Sequence, residues 1–305
     1  MALCGPAWAG SVPARFQYTE VHMGVQTRIV LYADSQARAE SAASAAFRRI
    51  ARLDDTMSDY RASSELMRLC ARAGQGPVKV SPDLFRVLLR CDELHERSGG
   101  AFDPTVGPIV ALWRTARKTG RLPPVAELES ARALVGWSNV DLERRRRTVT
   151  LKRPGMRLDL GGIAKGYACD AALAEIRRHG IRSAMIEMGG DIVLGARPPD
   201  LRGWRIDVPN AAEVMALSNC AVSTSGDAEQ YVEFAGVRYS HIVDPRTGLG
   251  LTSRISVTVI APRGELSDGL STAISVMGRD AGLRLAARYP GVRVFMRAPA
   301  EARQR

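Results

Sequence analysis

From residue 184 onward the chain consists of short strand-like runs, at 184–187, 192–195, 204–208, 221–224, 231–234 and 237–243, several separated by turn residues as in Phe234-Ala-Gly-Val237. Runs this short, joined by tight turns, pair as hairpins and so make neighbouring strands antiparallel. The rest of the chain is mixed. Residues 26–33 read as a strand, and Ser35 to Leu53 carry apolar or small residues at 39, 43, 46, 47 and 50, a helical spacing expected to end before Asp54-Asp55. A second helix is marked by Ser81 as its cap, Pro82 in its first turn and Gly99-Gly100 beyond its end. Further helices are expected over 124–135, 265–276 and 279–289, and strands over 255–260 and 292–296. The expected class is α+β, with largely antiparallel sheets packed against helices. Two stretches read as irregular: 101–113, apolar but interrupted by Pro104, Gly107 and Pro108, as a loop pressed on a hydrophobic surface, and 114–124 as a basic surface excursion.

A chain of 305 residues that is 46% hydrophobic can bury a sizeable core. Its net charge of +11 favours phosphate-bearing or polyanionic partners and leaves association with an anionic membrane surface open. The run Arg144 to Arg147 lies between two short strand-like runs without interleaved aromatic residues, so it reads as a solvated hairpin tip, and no nucleic-acid partner is expected. The cysteines at 4, 70, 91, 169 and 220 form no C-x-x-C pair and read as small apolar residues. Residues 1–22 read as a tail in which Ala7-Trp8-Ala9 resembles a small-x-small cleavage site, either the remnant of an export signal or a disordered end.

Three polar segments carry the chemistry. Leu158-Asp-Leu-Gly-Gly-Ile-Ala-Lys-Gly-Tyr-Ala-Cys-Asp170 reads as a strand end, a glycine turn with Lys165, and a helix. Backbone N–H groups at such a helix start favour an anion, although the spacing matches neither the P-loop nor the dinucleotide fingerprint and a purely structural turn remains an alternative. Ser240-His241-Ile-Val-Asp244-Pro-Arg-Thr-Gly248 places His241 at a strand end before a turn, where it serves as a base, holds a phosphate, or simply sits in a satisfied environment. In Ser267-Asp-Gly-Leu-Ser-Thr272, Asp268 and Thr272 share one helical face, which makes a hard-oxygen site for magnesium; helix capping by Ser267 or Asp268 is the alternative.

These segments occur in one order with Met57-Ser-Asp-Tyr60 and Ser64-Glu-Leu66, Ala101-Phe-Asp-Pro-Thr-Val-Gly-Pro108, Glu187-Met-Gly-Gly-Asp191 and Ala221-Val-Ser-Thr-Ser-Gly226. Together they resemble the ApbE family of FAD:protein FMN transferases, from about Met23 to Met296. The resemblance implies a T-fold-like α+β domain over 23–297, with 298–305 as a tail. It also implies a magnesium-dependent enzyme that takes FAD as substrate and transfers its FMN half to a Ser or Thr hydroxyl of a target flavoprotein, leaving a phosphoester and AMP. By motif, Met23, Tyr60, Ala101, Phe102, Asp103, Asp159, Lys165 and Val243 would contact FAD. Met23, Tyr60 and Phe102 would offer the flavin an apolar wall. The Gly162 carbonyl, Asp268 and Thr272 would hold the metal, and His241 would stand by the reacting phosphate as base or as transition-state stabiliser. Gly269 and Ser271 replace small alanines common in the family, and residues 114–121 are less family-like. The family habit implies a periplasmic location or the outer face of the cytoplasmic membrane. A metal-dependent FAD pyrophosphatase and a noncatalytic flavin carrier are the alternatives.

Overall fold

The computed structural model describes residues 12–209, 211–226 and 231–297. Cys4, the Ala7-Trp8-Ala9 segment and residues 298–305 lie outside the described residues. In chain order the elements are β1 (Ala14–His22), β2 (Val25–Ala33), α1 (Gln36–Met57), α2 (Glu65–Ala71), β3 (Val78–Lys79), α3 (Pro82–Ser98), α4 (Gly107–Thr119), α5 (Val125–Arg132), β4 (Val140–Glu143), β5 (Thr148–Leu151) and α6 (Ala164–Arg178). There follow β6 (Ala184–Met188), β7 (Asp191–Leu194), β8 (Trp204–Ile206), β9 (Met215–Leu217), β10 (Ala221–Ser225), β11 (Tyr231–Phe234), β12 (Val237–Ser240), β13 (Ser256–Ala261), α7 (Gly264–Met277), α8 (Arg279–Ala286) and β14 (Arg293–Arg297).

The main sheet has seven strands in the order β1-β2-β6-β7-β10-β13-β14, and every neighbouring pair is antiparallel. Strand alternation divides its two faces. Ile29, Leu31, Ile186, Val257 and Val259 join the large core beneath α1, α3, α6 and α7. Val30, Met185, Leu194, Val222 and Ile260 point the other way, onto Trp204, Ile206 and Leu217 of the small β8–β9 sheet. The α+β class expected from the turn-separated strands is the one observed, and Arg144–Arg147 lie on the turn joining β4 to β5.

Five local expectations are corrected. Residues 14–22 are no tail: they form the edge strand β1, paired along its length with β2 through a turn at Met23-Gly24, both at positive φ. Helix α1 runs past Asp54-Asp55 to Met57, because Arg61 reaches back to pair with Asp54 at 3.0 Å and Asp55 at 2.7 Å. The stretch 101–113 is largely helical, and α4 continues through 114–119 in place of a surface excursion. Pro104 opens a 3-10 turn and Pro108 stands in the first turn of α4, where a missing N–H costs no helical bond. Residues 158–160 form no strand; they run without regular structure into the glycine turn.

Candidate active site

The site is organised by the crossing of α6 and α7. Gly166 and Gly264 meet backbone to backbone, and a methyl group added at Gly166 would run into the Gly264 carbonyl and stand 2.9 Å from Asp268 Cβ. Gly166 is therefore a packing residue within α6 rather than part of an open anion turn. Each helix start is satisfied by a carboxylate from the other helix. Asp268 accepts the Gly166 N–H at 3.1 Å, while Asp170 accepts those of Gly264 and Glu265 at 2.9 and 3.0 Å. Because α7 begins at Gly264, Ser267 and Asp268 lie inside it and do not cap it.

Lys165, on the first turn of α6, turns into this crossing. Its Nζ lies 2.6 Å from Asp191 Oδ2 and 3.8 Å from Asp268 Oδ2. Burial works against the ammonium, but Asp191 foremost and Asp268 next hold its pKa above the ordinary lysine value. Burial pushes the Asp268 carboxyl well above the usual carboxylate range; Asp191 adds to this, while Lys165 and the Gly166 amide pull it back. Asp191, 3% exposed at the start of β7, was absent from the residues expected at the site. Its signal was present in the Glu187-Met-Gly-Gly-Asp191 segment, but only the sheet brings it to Lys165.

Hydroxyls line the contact between α7 and the sheet. Ser223 pairs with Ser267 at 2.8 Å and Ser225 with Ser271 at 2.7 Å, and Ser225 stands 3.5 Å from Thr272 Oγ1. Gly162 packs on Thr272 so closely that an added methyl would fall 2.9 Å from its Oγ1. The Gly162 backbone, Thr272 and Asp268 thus belong to one neighbourhood of hard oxygen donors, which suits a magnesium ion that takes its remaining ligands from water and phosphate. Among the described residues no group of three or more His, Cys, Asp or Glu side chains stands ready for a metal, so an ion here would rest on this sparser set. Gly269 faces Leu94 of α3 rather than this neighbourhood.

The remaining expected residues are set by other contacts. Asp159 accepts the Gly161 N–H at 2.7 Å and is held by Arg114 at 2.9 Å. The same Arg114 pairs with Asp59 and covers the ring of Tyr60, with Cζ 4.1 Å from the centroid. Asp103 is committed locally, its Oδ1 accepting Thr105 N–H at 2.8 Å and Thr105 Oγ1–H at 2.6 Å. Phe102 belongs to the main core at 5% exposure, so its side chain presents no open wall for a flavin. Ala101 packs with Ile242 and Val276, which binds the 101–108 segment, the His241 segment and α7 together. Val243 is buried against Ile109 and Trp113 of α4, and His241 is half-buried in the bend that follows β12. Met23, in the β1–β2 turn, packs partly on the main core.

A profile of the ApbE family matches residues 23–296, nearly the whole chain. The chain belongs to the ApbE family. Among its relatives, the FAD:protein FMN transferase of Treponema pallidum is 32% identical over an alignment that covers 95% of this chain and 87% of the relative. The FAD:protein FMN transferase of Vibrio cholerae is 35% identical, covering 78% and 74%. The solved flavin transferase ApbE of Vibrio cholerae superposes with a TM-score of 0.83 at 31% identity, covering 95% of each chain. The ApbE protein of Thermotoga maritima gives 0.83 at 29% identity, covering 93% of this chain and 94% of its own. The ApbE fold accordingly accounts for the full antiparallel sheet and its helices.

Proposed function

We propose that this protein is a magnesium-dependent FAD:protein FMN transferase that moves the FMN half of FAD onto a Ser or Thr hydroxyl of a target flavoprotein and releases AMP. The observation that carries this reading is the neighbourhood of Lys165, Asp191, Asp268, Thr272 and the Gly162 backbone at the α6–α7 crossing, in a chain whose relatives are named FAD:protein FMN transferase.

The residues divide the work. A magnesium ion held by Asp268, Thr272 and the Gly162 carbonyl would neutralise charge on the diphosphate oxygens. Lys165 brings a fixed positive charge to the same place, and Asp191 keeps that ammonium aimed and protonated. Asp159 and Tyr60 bind the rest of the dinucleotide. His241 accepts the proton of the acceptor hydroxyl as its oxygen bonds to the FMN phosphorus and the bond to the AMP oxygen breaks. Phosphoryl transfer of this kind depends on positioning and charge cancellation. Family habit supports a place outside the cytoplasmic membrane, which fractionation of the producing cells tests. Among the described residues no helix is long and apolar enough to cross a membrane.

The deciding experiment incubates the protein with FAD, magnesium and a candidate flavoprotein and weighs the acceptor by mass spectrometry. An acceptor heavier by one FMN less one water, with AMP formed in equal amount, supports the transferase. Free FMN with an unmodified acceptor would make the protein a pyrophosphatase, and FAD held without AMP release would make it a carrier.

A further inference from the structure

Arg114 falls in the segment that the motifs left unassigned, yet it touches two of the residues assigned to FAD. From the third turn of α4 its guanidinium reaches in three directions: Nη1 pairs with Asp59, Nη2 lies 2.9 Å from Asp159 Oδ2, and Cζ stands 4.1 Å from the centre of the Tyr60 ring. The contacts are sheltered, with 21% of the arginine side chain, 14% of Asp59 and 10% of Asp159 exposed. Tyr60 itself is 75% exposed, so the guanidinium backs one face of the ring and leaves the other open. Asp159 leads into the glycine turn, since its second oxygen accepts the Gly161 N–H and its own N–H donates to Pro104 at 2.8 Å.

We propose that Arg114 is a positioning residue for FAD, fixing the Tyr60 ring and the Asp159 carboxylate as one wall and tying that wall to the glycine turn ahead of Lys165. This rests on the reading of FAD as substrate. An exposed tyrosine at a loop otherwise samples several rotamers, and binding a planar ligand must then order it. A cation over one face selects a single orientation in advance. Only a planar fork serves two carboxylates and a ring at once, so lysine is not an equivalent substitute. Without the cation, Asp59 and Asp159 face each other as like charges in a sheltered place. Burial and the Asp159 charge already push the Asp59 pKa up to about 6 against the pull of Arg114.

The test compares the full-length wild type with Arg114→Met, Arg114→Lys and Tyr60→Ala. FAD affinity is read from flavin fluorescence without magnesium, and KM and kcat are read with magnesium and acceptor. Arg114→Met is expected to raise the FAD Kd and KM by about 10-fold or more with kcat within a few-fold, and Arg114→Lys to recover only part of the loss. Arg114→Met added to Tyr60→Ala should cost less than it does alone, because the two act through one wall. If both arginine variants bind FAD as the wild type does, or if they lower only the urea midpoint and the folded fraction keeps its affinity, the positioning role is overturned. If Arg114→Met fails to fold, Arg114→Lys decides on the same criteria. A wild type that binds no FAD either without or with magnesium and releases no AMP from it overturns the substrate reading itself, a result distinguishable from the loss of Arg114 function alone.

Discussion

Asp170 and Asp268 cap each other's helices: the α6 carboxylate receives the first amides of α7, and the α7 carboxylate receives the Gly166 amide of α6. Asp268 therefore has two duties, holding a helix start and offering an oxygen to a metal, and substitutions can separate them.

Asp268→Asn retains a carbonyl oxygen for the Gly166 amide but lacks the charge a divalent ion requires. Its urea midpoint should stay near that of the wild type while magnesium-dependent AMP release falls by about 100-fold or more. Asp268→Ala should lose the same activity and a further ~1 kcal/mol from the missing cap. AMP release at the wild-type rate in Asp268→Asn would remove this residue from the metal site.

Lys165→Met leaves Asp191 buried without its cation. A cost of about 3 kcal/mol in unfolding free energy is expected, at the low end for a broken buried pair because 26% of the lysine side chain is exposed. Adding Asp191→Asn should restore much of that stability and none of the turnover. Recovery of activity in the double variant would contradict the part given to the Lys165 charge.

Asp170 supplies a pH test. Burial raises its carboxyl to about 6 against the pull of the Gly264 and Glu265 amides. A folded-state pKa above the unfolded value means that the folded chain binds the proton more tightly. The associated stability is full below about pH 4 and is lost as pH rises through about 6. Asp170→Asn keeps an acceptor for the cap and abolishes the titration. The stability difference, wild type minus variant, should fall by about 2 kcal/mol between pH 4 and 7, allowing for the partial exposure of the group. A difference that does not change with pH in urea titrations would refute the assignment.

Gly166→Ala forces a methyl group into the Gly264 backbone. The helices must part, so a loss of about 3 kcal/mol is expected despite the better helix propensity of alanine, together with weakened turnover. A more stable variant, measured by thermal unfolding, would show that the crossing yields easily.

His241→Ala should slow FMN transfer by about 10²–10⁴, the range for a lost general base, with FAD affinity preserved. A rate equal to that of the wild type would take His241 out of the chemistry.

Local chemistry made much of this protein readable from its residues. Ser81, Pro82 and Gly99 delimit α3 because capping acts within one turn. Turn-separated runs foretold an antiparallel sheet, and the four-residue step from Asp268 to Thr272 put both on one face of α7. Two of the misleading marks have local causes, a partner just beyond the helix end and prolines that read either way. Arg61 carried α1 beyond its acidic pair, and Pro104 and Pro108 opened helical turns instead of breaking them.

The pairings that make the site were beyond that reach. Lys165 meets Asp191 across 26 positions, Arg114 meets Asp159 across 45, and Gly166 meets Asp268 across 102. The amino-acid order by itself determined most of the strands and helices, the ends of those with local caps such as α3, and the residue types available for phosphate chemistry, because those follow from sterics and hydrogen bonding among near neighbours. Which carboxylate faces the lysine, which arginine braces the tyrosine and why Gly166 must lack a side chain were decided only when the sheet and the crossed helices packed, since burial and charge pairing depend on distance in space.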